Sequence, residues 1–152
     1  EFAAIQQLQK RYGHVSAERV ISGAGLVDLY HALCDLKDGQ GREITTPAEV
    51  IERAQEVATS TANEALDMFC GFLGSVAGDL ALTLGARGGI YIGGGIVPRL
   101  GERFDASPFR ERFEAKGRFK KYLQEVPTWV IHSPVSPALQ GASQALSLTQ
   151  WQ

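Results

Sequence analysis

Sulfur and imidazole are scarce in this chain, which has two cysteines, one methionine and three histidines among 152 residues. Cys34 and Cys70 lie far apart in segments that read as helices, so the expectation is two reduced, partly buried thiols and no disulfide. Neither stands at a metal-binding spacing from His14, His31 or His132, so no metal site follows from them. His14 reads as a surface or hydrogen-bonded structural histidine, with ligand contact as the alternative. An excess of one charge is missing too. A formal net charge of -2 with interspersed signs gives no broad basic face, which argues against direct nucleic-acid binding by this segment. The most apolar stretch, Phe69 to Leu84, is broken by Gly71, Gly74, Gly78 and Asp79, which argues against a membrane span, and no signal-peptide pattern is seen. These absences leave a soluble chain of cytoplasmic type, long enough to bury a substantial core, forming one domain or one lobe of a larger protein.

Glycine is abundant, with 17 residues, and concentrates in GARGGIYIGGGIVPRL, Gly85 to Leu100. Ile90, Tyr91 and Ile92 predict a short buried strand. Gly93, Gly94 and Gly95 then let the main chain turn with its N–H groups open to a ligand, and Pro98 suits the start of a return helix. Two readings stand: a nucleotide contact or a tight structural turn. The spacing matches neither the dinucleotide fingerprint nor a phosphate loop ending in Gly-Lys-Ser/Thr.

The opening EFAAIQQLQKRYGHVSAER reads as a helix already under way, with Phe2, Ile5, Leu8 and Tyr12 on one face and Gly13 at its end, and hence as the latter part of a longer protein. Ser16 suits a cap for a short helix carrying Glu18. The bland reading of Glu18 is a solvated charge or an ion pair with Arg19; the functional one is a carboxylate that binds hydroxyls. Ser22, Gly23 and Gly25 precede an amphipathic helix with Leu26, Leu29, Tyr30, Leu33 and Leu36 inward, and Lys37 to Thr45 form a surface connection. Thr46, Pro47 and Glu49 spell a capping box. Thr59 to Leu84 predict a long helix or a close pair, with Ala65, Leu66, Phe69, Phe72, Leu73, Val76 and Leu80 inward and three glycines permitting close packing or a bend; Asp79 is a solvated or capping acid, or less plainly a nucleotide-associated one. Phe104, Phe109, Phe113 and Phe119 are expected to turn inward from a helical excursion whose basic cluster, Lys116, Arg118, Lys120 and Lys121, faces solvent. Thr128 to His132 read as a strand and Ala138 to Leu148 as a helix, in which Gly141 allows close approach of backbone or ligand. Trp151 reads as a packing residue. Helices with a few short strands indicate an α/β layer.

Four of these segments, SAERVISGAGLVDLY, LALTLGARGGIYIGGGIVPRL, FEAKGRFKKYL and ALQGASQAL, stand in one order along Ser16 to Leu146. Together they resemble successive motifs from the C-terminal half of bacterial ATP-dependent glucokinases. The resemblance implies a two-lobed actin/hexokinase-like (ribonuclease H-like) α/β kinase, with residues 1–152 as its C-terminal lobe, incomplete and lacking the N-terminal lobe. It also implies ATP with Mg2+, D-glucose as the acceptor, and a place in glycolysis. The glutamate of the SAER motif, a glucose contact in that family, falls on Glu18, and Ile21 to Gly25 would shape the floor beside it. Gly93, Gly94 and Gly95 resemble the adenosine-side glycine motif, with Ile96 and Pro98 beside it. Gly141 falls in a segment near the nucleotide, although this chain has QGAS where the family often reads LGSG.

The family's phosphate loop, its Asn-Asp motif with the catalytic base, and its EGGH sugar motif are not in these residues. The resemblance therefore assigns no catalytic residue here, and an isolated fragment is expected to be inactive. Oligomeric state stays open. The alternative from another class is a sugar-responsive transcriptional regulator with a kinase-like sensor domain and a DNA-binding segment elsewhere.

Overall fold

The computed structural model describes residues 1–37, 39, 43–57 and 59–148. Four helices come first: α1 (Phe2–Tyr12), α2 (Ala17–Ile21), α3 (Gly23–Lys37) and α4 (Pro47–Glu56). The long α5 (Thr61–Leu84) leads into strand β1 (Ile90–Ile92), and a 3-10 turn at Val97–Arg99 then opens a run of short helices, α6 (Glu102–Asp105), α7 (Phe109–Glu114) and α8 (Lys120–Gln124). Strand β2 (Thr128–Val130) and helix α9 (Pro137–Leu148) follow. Trp151 and residues 38 and 40–42 of the Lys37–Thr45 connection that polar residues predicted lie outside the described residues.

Helix α5 is the axis of the core. Ser60 starts it by accepting a hydrogen bond from the Asn63 backbone N–H, and Gly85 ends it in the left-handed conformation, φ 61°. By length and composition it could cross a membrane. Here it is instead the helix on which α2, α3, α4 and α7 pack. Leu26 and Leu29 of α3, Val50 of α4, Leu66 of α5 and Phe113 of α7 are fully buried, each leucine or phenylalanine contributing about 1.5–3 kcal/mol of transfer free energy. The capping box of α4 forms as spelled: Thr46 Oγ1 accepts from the Glu49 N–H, and Glu49 Oε2 accepts from the Thr45 and Thr46 N–H groups at 2.8 and 2.9 Å. Asn63 joins the two helices by donating from Nδ2 to the carbonyls of Ala54 and Val57, both at 2.6 Å.

Two of the three α5 glycines mark where another backbone crosses. A Cβ on Gly74 would overlap the Phe109 carbonyl oxygen and stand 3.1 Å from the Phe109 Cα, and one on Gly78 would lie 2.5 Å from the Phe113 carbonyl oxygen. Helix α7 thus lies directly on α5, burying Phe109 and Phe113. Lys116, just beyond α7, pairs with Asp79 at 2.7 Å, so Asp79 holds this crossing and the lysine does not belong to a free basic cluster.

Strands β1 and β2 pair in parallel, Ile90 opposite Thr128 and Ile92 opposite Val130. Arg110 fixes the approach to β2. Its guanidinium donates to the carbonyls of Val126, Leu123 and Gln124 at 2.9 to 3.1 Å while its Nε holds Glu114 at 2.6 Å. Among the described residues only two strands are paired and one face of the pair is packed, so β1 is not the buried strand its composition predicts: Ile92 is buried, but Tyr91 is 65% exposed, opposite an exposed Trp129. Helix α9 is exposed throughout Pro137–Ser147.

Four apolar residues expected inward face out. Phe2 and Leu36 lie at helix ends, Leu80 is half exposed past the α7 crossing, and Phe119 sits in the turn before α8 with Arg118 over its ring. Helical periodicity assigns a face but not the length of the partner that covers it.

Candidate functional site

The glycine turn lines a pocket of about 350 Å³. Gly93, Gly94 and Gly95 form one wall with Ile92, Ile96 and Val97; Phe69 and Leu73 of α5 form another; Ile21 and Gly23, at the junction of α2 and α3, close the third side. The structure therefore brings the ISGAG segment to the GGG turn across some seventy residues of sequence, a juxtaposition no local pattern predicts. Pro98 lies in a single 3-10 turn, shorter than the expected return helix.

The three glycines are not equivalent. Gly94 alone has a φ that disfavours side chains, 124°, and no atom lies within 4 Å of where its Cβ would be. Its requirement is conformational. A Cβ on Gly93 would touch Ile131 at an ordinary 3.8 Å, and one on Gly95 would meet nothing in the chain. Packing within the described chain thus leaves the edge of the turn at Gly95 open to a ligand.

Glu18 lies on the exposed surface of α2, one turn before Ile21, so the two share a helix face about 4.5 Å apart along the axis. Among the described residues no ion pair or hydrogen bond holds its side chain, so of the two plain alternatives it is a solvated charge and not the partner of Arg19. Arg19 instead lies over the ring of Tyr12, 4.3 Å from its centroid. The Tyr12 hydroxyl donates to both oxygens of Asp28 at 2.9 Å, and Asp28, buried in α3, also accepts from Arg11 at 3.0 Å. Burial and then the Asp28 carboxylate raise the Tyr12 pKa. At the start of α2, Ser16 Oγ accepts from the Arg19 N–H at 3.2 Å, as expected of a cap. Gly25 lets α3 rest on this helix, since a Cβ there would stand 2.9 Å from the Arg19 carbonyl carbon and overlap its oxygen. The Tyr12–Asp28–Arg19 group was not legible in the sequence because its members come from three helices.

Gly141 is not brought to this pocket. It lies in the exposed α9, and nothing stands within 4 Å of its would-be Cβ, so the close approach expected there is not made by any described residue. His14 is exposed, while His31 Nε2 lies 2.7 Å from the Ile44 carbonyl oxygen. Both cysteines are buried thiols outside any disulfide, and burial pushes the Cys70 thiol up to about 11. Burial, with a hydrogen bond to Cys34, pushes Tyr30 up to about 12. Among the described residues no group of three or more His, Cys, Asp and Glu could hold a metal. A second concavity of about 310 Å³ between α1 and α3 has a mixed-charge rim that includes Lys10, His31 and Asp35; it lacks the open main-chain turn of the glycine pocket.

The glucokinase family model matches residues 1–149. The chain belongs to the glucokinase family. Among glucokinases, those of Nitrobacter hamburgensis and Chromobacterium violaceum are 52% and 55% identical to it, over 93% and 90% of this chain but only 43% and 39% of their own lengths. The crystal structure of a glucokinase from an Antarctic psychrotroph superposes with a TM-score of 0.84 at 36% identity, covering 97% of this chain and 45% of that one. The chain thus has an α/β fold of glucokinase type and spans less than half the length of these relatives. Both halves of the pocket, the ISGAG segment and the GGG turn, lie inside the region the glucokinase model matches.

Proposed function

We propose that this chain is the C-terminal portion of a bacterial ATP-dependent glucokinase, within the C-terminal lobe of an actin/hexokinase-like, ribonuclease H-like enzyme. The complete protein transfers the γ-phosphoryl group of ATP to the 6-hydroxyl of D-glucose. The observation that carries this reading is the pocket shared by the GGG turn and the ISGAG junction, with the unpaired Glu18 one helical turn away. The turn offers main-chain groups and an open edge at Gly95 to the adenosine side of the nucleotide, against the apolar wall of Phe69 and Leu73. Glu18 accepts hydrogen bonds from sugar hydroxyls. Gly141, on the exposed α9, completes the nucleotide side where the rest of the protein approaches.

Mg2+ would enter as a companion of the nucleotide, held largely by phosphate oxygens and water. It would offset charge on the transferring phosphoryl group. The sugar hydroxyl forms the new bond to γ-phosphorus as the bond to the β-phosphate oxygen breaks, and its proton passes to a base outside these residues. The N-terminal lobe supplies that base. The exposed Tyr91–Trp129 face and the uncovered α9 are surfaces that the same missing part covers. A coupled glucose-6-phosphate assay tests the reading: the full-length protein turns over ATP in the presence of glucose and the 152-residue chain does not. Sustained turnover by the chain alone, or none by the folded full-length protein, would overturn it.

A further inference from the structure

The segment carrying Glu18 is too short to hold itself. Helix α2 has five residues, fewer than an isolated helix needs, so its orientation is set by what grips it. Val20 is buried and α2 packs on α3 and α5, which fixes the core-facing side of the helix. Towards its exposed side, the Ser16 cap and the contact of Gly25 with the Arg19 carbonyl act on the backbone, and the Arg19 side chain on the Tyr12 ring adds a side-chain grip next to Glu18.

Arg19 has no carboxylate partner among the described residues, so the aromatic face is what its charge finds. That face is held in turn. The Tyr12 hydroxyl is fixed on the buried Asp28, and Arg11 both pairs with Asp28 and lies 5.0 Å from the same ring centroid. Successive residues on a helix project about 100° apart. A shift of α2 about its buried Val20 that lifts Arg19 from the ring therefore also moves Glu18, the residue beside it.

Resting on the reading of Glu18 as a sugar contact, we propose that Arg19, stacked on the Asp28-anchored ring of Tyr12, is a positioning residue that sets the direction of the Glu18 carboxylate. Arg19 touches no substrate; it pre-orients a group that does. Tyr12 and Asp28 act one step further back.

The test is a double-mutant cycle in the full-length enzyme, with Glu18→Gln, Arg19→Met and the pair, each shown by thermal melting to be folded at the assay temperature. Tyr12→Phe, which keeps the ring and removes the hydroxyl, is the milder second variant, and Lys121→Ala is the surface control. Arg19→Met is expected to raise the glucose KM about 3- to 10-fold, the range a stacked guanidinium supports, with the ATP KM unchanged. Tyr12→Phe should shift it in the same direction by less. In the Glu18→Gln background Arg19→Met should add almost nothing, because there is no carboxylate left to direct. If Glu18→Gln weakens glucose and the Arg19→Met effect multiplies with it in full, or raises both KM values alike, the positioning role is overturned and the sugar contact stands. If Glu18→Gln leaves the glucose KM unchanged, the sugar contact itself falls and the positioning role goes with it.

Discussion

Two glycines three residues apart in α5 should respond to the same substitution with opposite signs. Replacing a helical glycine by alanine removes freedom from the unfolded chain and stabilises a helix by about 0.5–1 kcal/mol where there is room for the methyl group. At Gly71 there is room: the nearest atom to the new Cβ is Arg112 Cγ at 3.7 Å, an ordinary contact on a flexible side chain. At Gly74 the new Cβ meets backbone, 3.0 Å from the Phe109 carbonyl carbon and closer still to its oxygen, and neither can rotate away. Helix α7 must lift off α5, loosening Phe109 and Phe113, and overpacking of this kind costs about 1–3 kcal/mol or more. Gly74→Ala should therefore be less stable than Gly71→Ala by about 1.5–4 kcal/mol. At about 2–4 °C per kcal/mol for a domain of this size, that is roughly 3–16 °C in Tm. Urea unfolding of the two variants beside the parent measures it, with the midpoint as the readout. Equal midpoints for the two variants would refute the claim that α7 backbone rests on Gly74.

Gly95→Ala in the full-length enzyme should leave folding intact, because its Cβ meets nothing in the described chain, yet raise the ATP KM; an unchanged ATP KM would mean that no nucleotide passes there. Hydrogen bonds from the Thr45 and Thr46 backbone lower the Glu49 pKa. The stabilisation they give is full above the ordinary glutamate pKa and is lost as pH falls through the depressed native value, so the stability gap between parent and Glu49→Ala should be constant near neutrality and close in acid, as pH-dependent urea midpoints can check. Arg110→Lys keeps a charge but cannot reach three carbonyls at once; a loss of about 1–3 kcal/mol in urea unfolding is expected, and a neutral result would remove Arg110 as the anchor of β2.

What could be read from the chain was local. The capping box at Thr46–Glu49, the Ser16 cap, the strand at Ile90–Ile92 and the freedom needed at Gly94 each depend on residues within a few positions, and each is present. The three α5 glycines announced close packing, but their spacing could not say that α7 meets Gly74 and Gly78 and leaves Gly71 with ordinary contacts. Exposure of Tyr91, Leu80 and Phe119 was beyond reach for a related reason: an apolar residue has a hydrophobic side whether or not a neighbour extends far enough to cover it. At the candidate site, Glu18 and the GGG turn were legible as motifs. The meeting of Ile21 and Gly23 with Gly93–Gly95, and the Arg19–Tyr12 stack, arise only when distant helices are assembled.

The pairing of β1 with β2 has a consequence in time. The Ile131 N–H donates to the Ile92 carbonyl at 2.9 Å, so the second strand grips the first at the residue before the glycine turn. Everything from Gly93 to Pro127 lies between the two partners, including the helix that must settle on α5 and the arginine that bridles the entry to β2. Closing so long an intervening loop is entropically costly until its own contacts are made. The helices can therefore exist before the pocket does. After dilution from denaturant, helical signal should return before the glycine pocket forms, and the interval between them is the lifetime of a chain that is already mostly helical and still lacks its pocket.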